Sequence, residues 1–99
     1  MKLKVQSIHF NADRKLLDFI DEKSEKLGQF FDGIIDGEIF LRLEKSDSLK
    51  NKVAEIKLNA PGKTLFAKEQ CNTFEEATDL AIDSLRKQLI RHKEKVKGI

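Results

Sequence analysis

The residue pattern predicts an α+β fold, a two-layer β-α-β-β-β-α sandwich in which a mostly antiparallel four-stranded sheet carries two helices on one face. Three observations lead there. Stretches of period-two alternation and of helical spacing follow one another in that order along the 99 residues. Turn chemistry around the one proline separates the last two alternating stretches. No Pro- or Gly-rich linker, internal repeat or low-complexity run divides the chain, so the elements share one core. Helices cannot interleave three successive hairpin-connected strands, which puts both helices on the same side of the sheet. The first strand reaches the second through a helix, a connection that permits a parallel neighbour.

The first strand is expected from Met1 to Ile8, where Leu3 and Val5 alternate with Lys2, Lys4 and Gln6. Asn11 and Asp13 then offer N-cap side chains, and Leu16, Ile20, Leu27 and Phe31 recur at helical spacing from Arg14 to about Phe31. After Gly33, Asp36 and Gly37, a second strand alternates Ile39, Leu41 and Leu43 with Phe40, Arg42 and Glu44. Ser46 to Asn51 is a polar loop. Ala54, Ile56 and Leu58 form the inner face of a third strand, opposite Val53, Glu55 and Lys57. Pro61 presets one turn dihedral and Gly62 accepts a positive one, so Asn59 to Lys63 closes a hairpin into a fourth strand, about Thr64 to Glu69, with Leu65 and Ala67 inward. Thr73-Phe74-Glu75-Glu76 matches a capping box, and the helix it starts runs to about Lys95. Phe74, Ala77, Thr78, Ala81, Leu85, Leu89, His92 and Val96 share its core stripe.

A chain this short buries roughly two-thirds of its unfolded surface, enough for one core but not for a second domain with a cofactor cleft. Hydrophobic residues at 39% and charged residues at 36% describe an ordered, soluble globule. One cysteine, Cys71, makes no intrachain disulfide, and the first residues lack the apolar run of a signal peptide. A reducing cytoplasm is the expected compartment, and a membrane role is not expected.

The net charge of +2 hides an uneven distribution. Residues 1–83 hold 13 basic and 16 acidic side chains, net −3, while residues 84–99 hold six basic and one acidic, net +5. A basic block ending an otherwise acidic chain fits a molecule that meets a polyanion with one face. The plainer alternative is a solvated helix end that complements the helix dipole. Lys87 and Arg91 lie opposite the core stripe of the second helix, Arg86, Lys93 and Lys97 along one border and Lys95 near the other. Glu75, Glu76, Asp79 and Asp83 occupy the same polar face nearer the helix start. On the first helix, Lys15, Lys23 and Lys26 border the apolar stripe, and Lys23 must snorkel outward. Side-by-side helices would let Lys23 and Lys26 line a groove facing the basic end of the second helix, although spaced ion pairs among Lys15, Asp18, Glu22 and Lys26 are the ordinary alternative. Ile90 has no core role by periodicity and is available to ribose or base surface.

Catalytic chemistry has little support. Glu75, Asp79 and Asp83 share no spacing with a His or Cys ligand, and acids early in a helix have a dipole explanation. His9 and His92 adjoin no nucleophile motif, and Cys71, expected in the turn before the capping box, is a small structural residue. No phosphate-cradling glycine loop or zinc spacing is present. Neither a cofactor nor a small-molecule substrate is expected.

Three segments resemble the bacterial ribosome hibernation promoting factors, whose relatives include protein Y and the sigma-54 modulation protein. They are Lys23-Ser24-Glu25-Lys26-Leu27-Gly28-Gln29-Phe30-Phe31-Asp32, Leu41-Arg42-Leu43-Glu44-Lys45, and Ala81 to Lys95. The spacing Leu-x-x-Gln-Leu-x-Arg-His-Lys-x-Lys, from Leu85 to Lys95, is the most specific part. The resemblance covers essentially the whole chain and implies a single ribosome-binding domain over residues 1–99, similar in outline to double-stranded RNA-binding domains. It implies insertion between head and body of the small ribosomal subunit, contact with its rRNA, and a block of the mRNA and tRNA sites during stationary phase or starvation. The rRNA-binding positions implied by motif match are Lys23, Lys26, Lys87, Arg91, Lys93 and Lys95, to which Arg86 is added from the basic border of the second helix. Arg86 and Ser84 depart from the pattern of relatives, which often carry a small residue and a lysine, respectively, there. A chain ending at Lys97-Gly98-Ile99 looks like the family's short form, for which a separate ribosome-dimerising factor is a further expected partner. A free-standing duplex-RNA module, and a protein-interaction domain using a sheet face of Phe40, Arg42, Val53, Glu55 and Lys57, are the competing classes.

Overall fold

The computed structural model describes residues 3–31, 33–45 and 49–96, with side chains of the last helix described through His92. Six elements follow in chain order: β1 (Lys4–Ser7), α1 (Arg14–Phe30), β2 (Asp36–Leu43), β3 (Lys52–Ala60), β4 (Lys63–Cys71) and α2 (Phe74–Val96). The sheet order is β1-β2-β3-β4, with β1 parallel to β2 and the other pairs antiparallel. This is the expected α+β sandwich, including the parallel pair that the helical crossover permits.

Local chemistry sets each boundary. The Asp13 carboxylate accepts a hydrogen bond from the Leu16 amide at 2.8 Å, capping α1, and Phe31 leaves the helix in extended conformation. The Thr73 hydroxyl accepts from the Glu76 amide at 3.0 Å, the first half of the expected capping box. Ala60 pairs with Lys63 across Pro61 and Gly62, and Gly62 takes a φ of 76°, the positive value demanded of the third residue of a type II turn. Gly37 serves closeness instead: a Cβ there would sit 2.6 Å from the Leu3 and Leu58 methyls.

The core lies between one sheet face and the two helices. Leu16, Ile20 and Leu27 of α1 and Ala77, Ala81, Ile82, Leu85 and Leu89 of α2 pack on Ile39, Leu41, Ala54, Ile56, Leu58, Leu65 and Ala67. Ile82, absent from the expected stripe, joins it at its edge. Ser24 fills the helical repeat between Ile20 and Leu27; it is fully buried, and its hydroxyl donates to the Asp21 carbonyl at 3.0 Å. Phe74 and His92 are half-buried, and the Val96 side chain and residues 46–48 of the expected loop lie outside the described set.

Two assignments are corrected. Leu43 has core parity but is 56% exposed, because β1 pairs only as far as Leu41 and does not extend alongside it. Val53 was expected on the open face and is fully buried. Its cross-strand neighbours Arg42 and Gln70 are both held down, Arg42 by Glu44 at 2.9 Å and Glu55 at 3.2 Å, and Gln70 by the Lys50 carbonyl at 2.7 Å. The bond to Glu44, then that to Glu55, raises the Arg42 pKa against the opposing cost of burial. The open face instead exposes Phe66.

Candidate nucleic-acid interface

Helices α1 and α2 lie side by side and run in the same direction. Phe10, just before α1, stacks on Phe74 at 4.9 Å; farther along, Lys23 meets Asp79 at 3.0 Å, Arg86 lies 5.3 Å from the Phe30 ring, and Phe31 meets His92 edge-on at 6.3 Å. An open groove of about 670 Å³ runs between them, lined by Lys23, Lys26, Asp79, Asp83 and Arg86 over Leu27 and Ile82.

The groove unites only part of the expected set, and its electrostatics differ from expectation. Because the helices are parallel, Lys23 stands level with the acidic first half of α2 and not with its basic end. Its side chain, 28% exposed, does not run straight outward; the ammonium is bound to Asp79 and lies 5.5 Å from the Phe19 ring centre. Lys26 pairs with Glu22 at 3.7 Å, the spaced ion pair of the plainer alternative. The third groove cation, Arg86, sits over Phe30 where the basic part of α2 begins.

Lys87 and Arg91 belong to the opposite flank of α2. There they line a second cleft with Ser84, Gln88 and Lys63, the last from the start of β4. Lys87 reaches Asp83 at 3.3 Å, and Arg91 has no ion-pair partner among the described residues. The Gln88 amide donates to the Phe66 carbonyl at 2.8 Å, pinning this flank to the edge strand. The Lys93 and Lys95 side chains, and Lys97 altogether, lie outside the described residues. Ile90 is 41% exposed beside the cations.

Sequence reasoning missed Lys63, although a signal was present. From Cys71 back to Lys63 a strand covers roughly 26 Å, and α2 returning at about 1.5 Å per residue comes level with Lys63 near Arg91. Asp79 and Asp83 are more than half exposed, and they are also the ion-pair partners of Lys23 and Lys87. Among the described residues no group of three or more His, Cys, Asp or Glu is placed to hold a metal ion. Cys71 ends β4 and does not lie in the turn; burial first, then the Glu76 and Glu69 carboxylates, push its thiol pKa up. His9 takes a φ of 66° in the β1–α1 connection. Among the described residues no helix is long and apolar enough to cross a membrane.

With this geometry in place, comparison with known proteins is decisive. Residues 3–97 match the family model described as Sigma 54 modulation protein / S30EA ribosomal protein. The chain belongs to this family. A ribosome hibernation promoting factor from Azotobacter vinelandii is 32% identical over 95 residues, covering 96% of this chain and 85% of that protein. The N-terminal domain of Thermus thermophilus Protein Y superposes with a TM-score of 0.79 at 25% identity, covering 93% of this chain and 99% of that one. A ribosomal subunit interface protein from Coxiella burnetii shares the fold at the same TM-score and 20% identity, covering 95% and 99%. Sigma 54 modulation / S30EA membership thus accords with the segments singled out in the sequence, two of which build the α1–α2 pair.

Proposed function

We propose that this family member enters the small ribosomal subunit between head and body, lays α2 and the facing lysines of α1 against the rRNA backbone, and keeps the ribosome inactive by occupying its mRNA and tRNA sites in stationary phase or starvation. The observation that carries the proposal is the basic second half of α2, with Lys87 and Arg91 exposed and, among the described residues, only the first of them paired. Relatives named ribosome hibernation promoting factors support the ribosomal setting. Lys23, Lys26, Arg86, Lys87, Arg91, Lys93 and Lys95 are the rRNA contacts in this reading. They address phosphates, which are alike at every nucleotide, so the protein reads no sequence. The work is binding and exclusion, with no bond made or broken, no cofactor, and a cytoplasmic location. A separate dimerising factor completes the set of partners.

Purified small subunits and an isolated RNA duplex, titrated in parallel, test this. Tight, salt-sensitive binding to subunits and weak binding to duplex is the expected result. Equal affinity for both would replace it with a duplex-RNA module acting off the ribosome.

A further inference from the structure

The cleft between the β3–β4 hairpin and α2 stands apart from the interhelical groove, and its chemistry differs. Its five lining residues are Lys63, Ser84, Lys87, Gln88 and Arg91. All carry hydrogen-bond donors and none is an acid, whereas the groove on the other flank contains Asp79 and Asp83. Ser84, Lys87, Gln88 and Arg91 recur at i, i+3, i+4 and i+7, so they form one helical face. Lys63 approaches from a different element, placed by a two-residue turn in which Pro61 presets φ and Gly62 takes the positive φ of 76°. Gln88 is anchored to the Phe66 carbonyl and lies 3.4 Å from the Ser84 hydroxyl, which holds the helix and the strand at one separation.

Three cations therefore converge on a cleft of about 440 Å³, and at its margin the Asp83 carboxylate pairs with one of them, Lys87. Neither Lys63 nor Arg91 has an ion-pair partner among the described residues. Like charges gathered in this way repel, and an anion placed between them relieves the repulsion.

We propose that this cleft is a second phosphate-binding site, which takes a segment of RNA backbone separate from the one in the interhelical groove, with Lys63 as a contact residue. The proposal rests on the ribosomal reading above and adds to it a two-sided grip: α2 lies between two backbone segments, one on the Lys23–Arg86 flank and one on the Lys63–Arg91 flank. A helix held on both sides is fixed in rotation as well as position, which a single row of phosphate contacts does not achieve.

Binding of the full chain to purified small subunits, measured across a salt series for the unaltered protein, Lys63→Ala, Lys26→Ala and the double variant, tests the proposal. Lys63 is exposed and outside the core, so circular dichroism and melting of Lys63→Ala are expected to match the parent. One lost phosphate contact lowers the slope of log affinity against log salt by about 0.7–0.9, which at ~0.15 M salt is roughly a four- to five-fold weakening. The Lys26→Ala loss is expected to add to it independently. An unchanged slope and affinity for Lys63→Ala, with the parent still bound, overturns the second site and leaves the ribosomal reading standing. Weaker binding with an unchanged slope assigns the cleft to a protein surface and overturns the RNA assignment. Failure of the parent protein to bind subunits overturns the ribosomal reading and this proposal with it.

Discussion

Reversing the two cations that face away from the core, Lys87→Glu with Arg91→Glu, separates binding from folding. The Lys87 side chain is 68% exposed and its one ion pair, to Asp83, is a surface contact. Such pairs are worth about 0.2–1 kcal/mol, and placing Glu four residues after Asp83 adds a repulsion of only a few tenths of a kcal/mol. Arg91 is exposed and unpaired among the described residues, so its loss disturbs no packing. The domain is therefore expected to melt within a few degrees of the parent. Two forfeited phosphate contacts lower the salt slope by about 1.4–1.8 and, at ~0.15 M salt, weaken binding roughly 15- to 30-fold, or about 1.6–2 kcal/mol, before repulsion by the new carboxylates is added. Co-sedimentation with purified small subunits between about 50 and 200 mM salt, where electrostatic affinity changes fastest, reads both quantities. A folded double variant with parental affinity and slope would refute the assignment of this flank to rRNA.

Other perturbations probe different parts of the structure. Asp79→Asn frees Lys23 from its ion pair and removes a negative charge from the groove; subunit binding is expected to tighten by roughly 1.5- to 5-fold, the worth of an exposed pair, and unchanged or weaker binding counts against Lys23 as a contact. Thr78 is fully buried and its hydroxyl has no hydrogen-bond partner among the described residues, so Thr78→Val is expected to stabilise the fold by about 1 kcal/mol, raising Tm by roughly 4–8 °C; a lower Tm in calorimetry contradicts this. The Cys71 thiol is held protonated in the fold, above its ordinary value of 9.0. As pH rises through that value, the unfolded chain loses the proton first, so the urea midpoint is expected to fall; Cys71→Ala removes that part of the alkaline loss, and an identical alkaline decline in the variant argues against the assignment.

Period-two and helical spacing located every element because each buries one face, and the burial of Leu16, Ile20, Ile39, Ile56 and Leu85 follows directly from it. Spacing failed where a neighbour decided the outcome. Leu43 lost its cover because β1 is short, and Val53 gained one because Arg42 and Gln70 are tethered across the strands. The same limit governs the interface. A single helix's wheel showed correctly that Lys87 and Arg91 face away from the core, yet it carried no information on the direction of α1 relative to α2. Lys23 consequently meets Asp79, and the cations divide between two flanks. Lys63 escaped notice because it is alone in its turn and becomes part of a cluster only when β4 is folded beneath α2.

Exclusion of tRNA is the most direct test of the central claim that this domain silences ribosomes by occupying their functional sites. Small subunits programmed with mRNA and labelled initiator tRNA should release the tRNA as the protein is added, in proportion to protein bound, and the Lys87→Glu, Arg91→Glu variant should release it only at far higher concentration. Stable subunits carrying protein, mRNA and tRNA together would contradict the account.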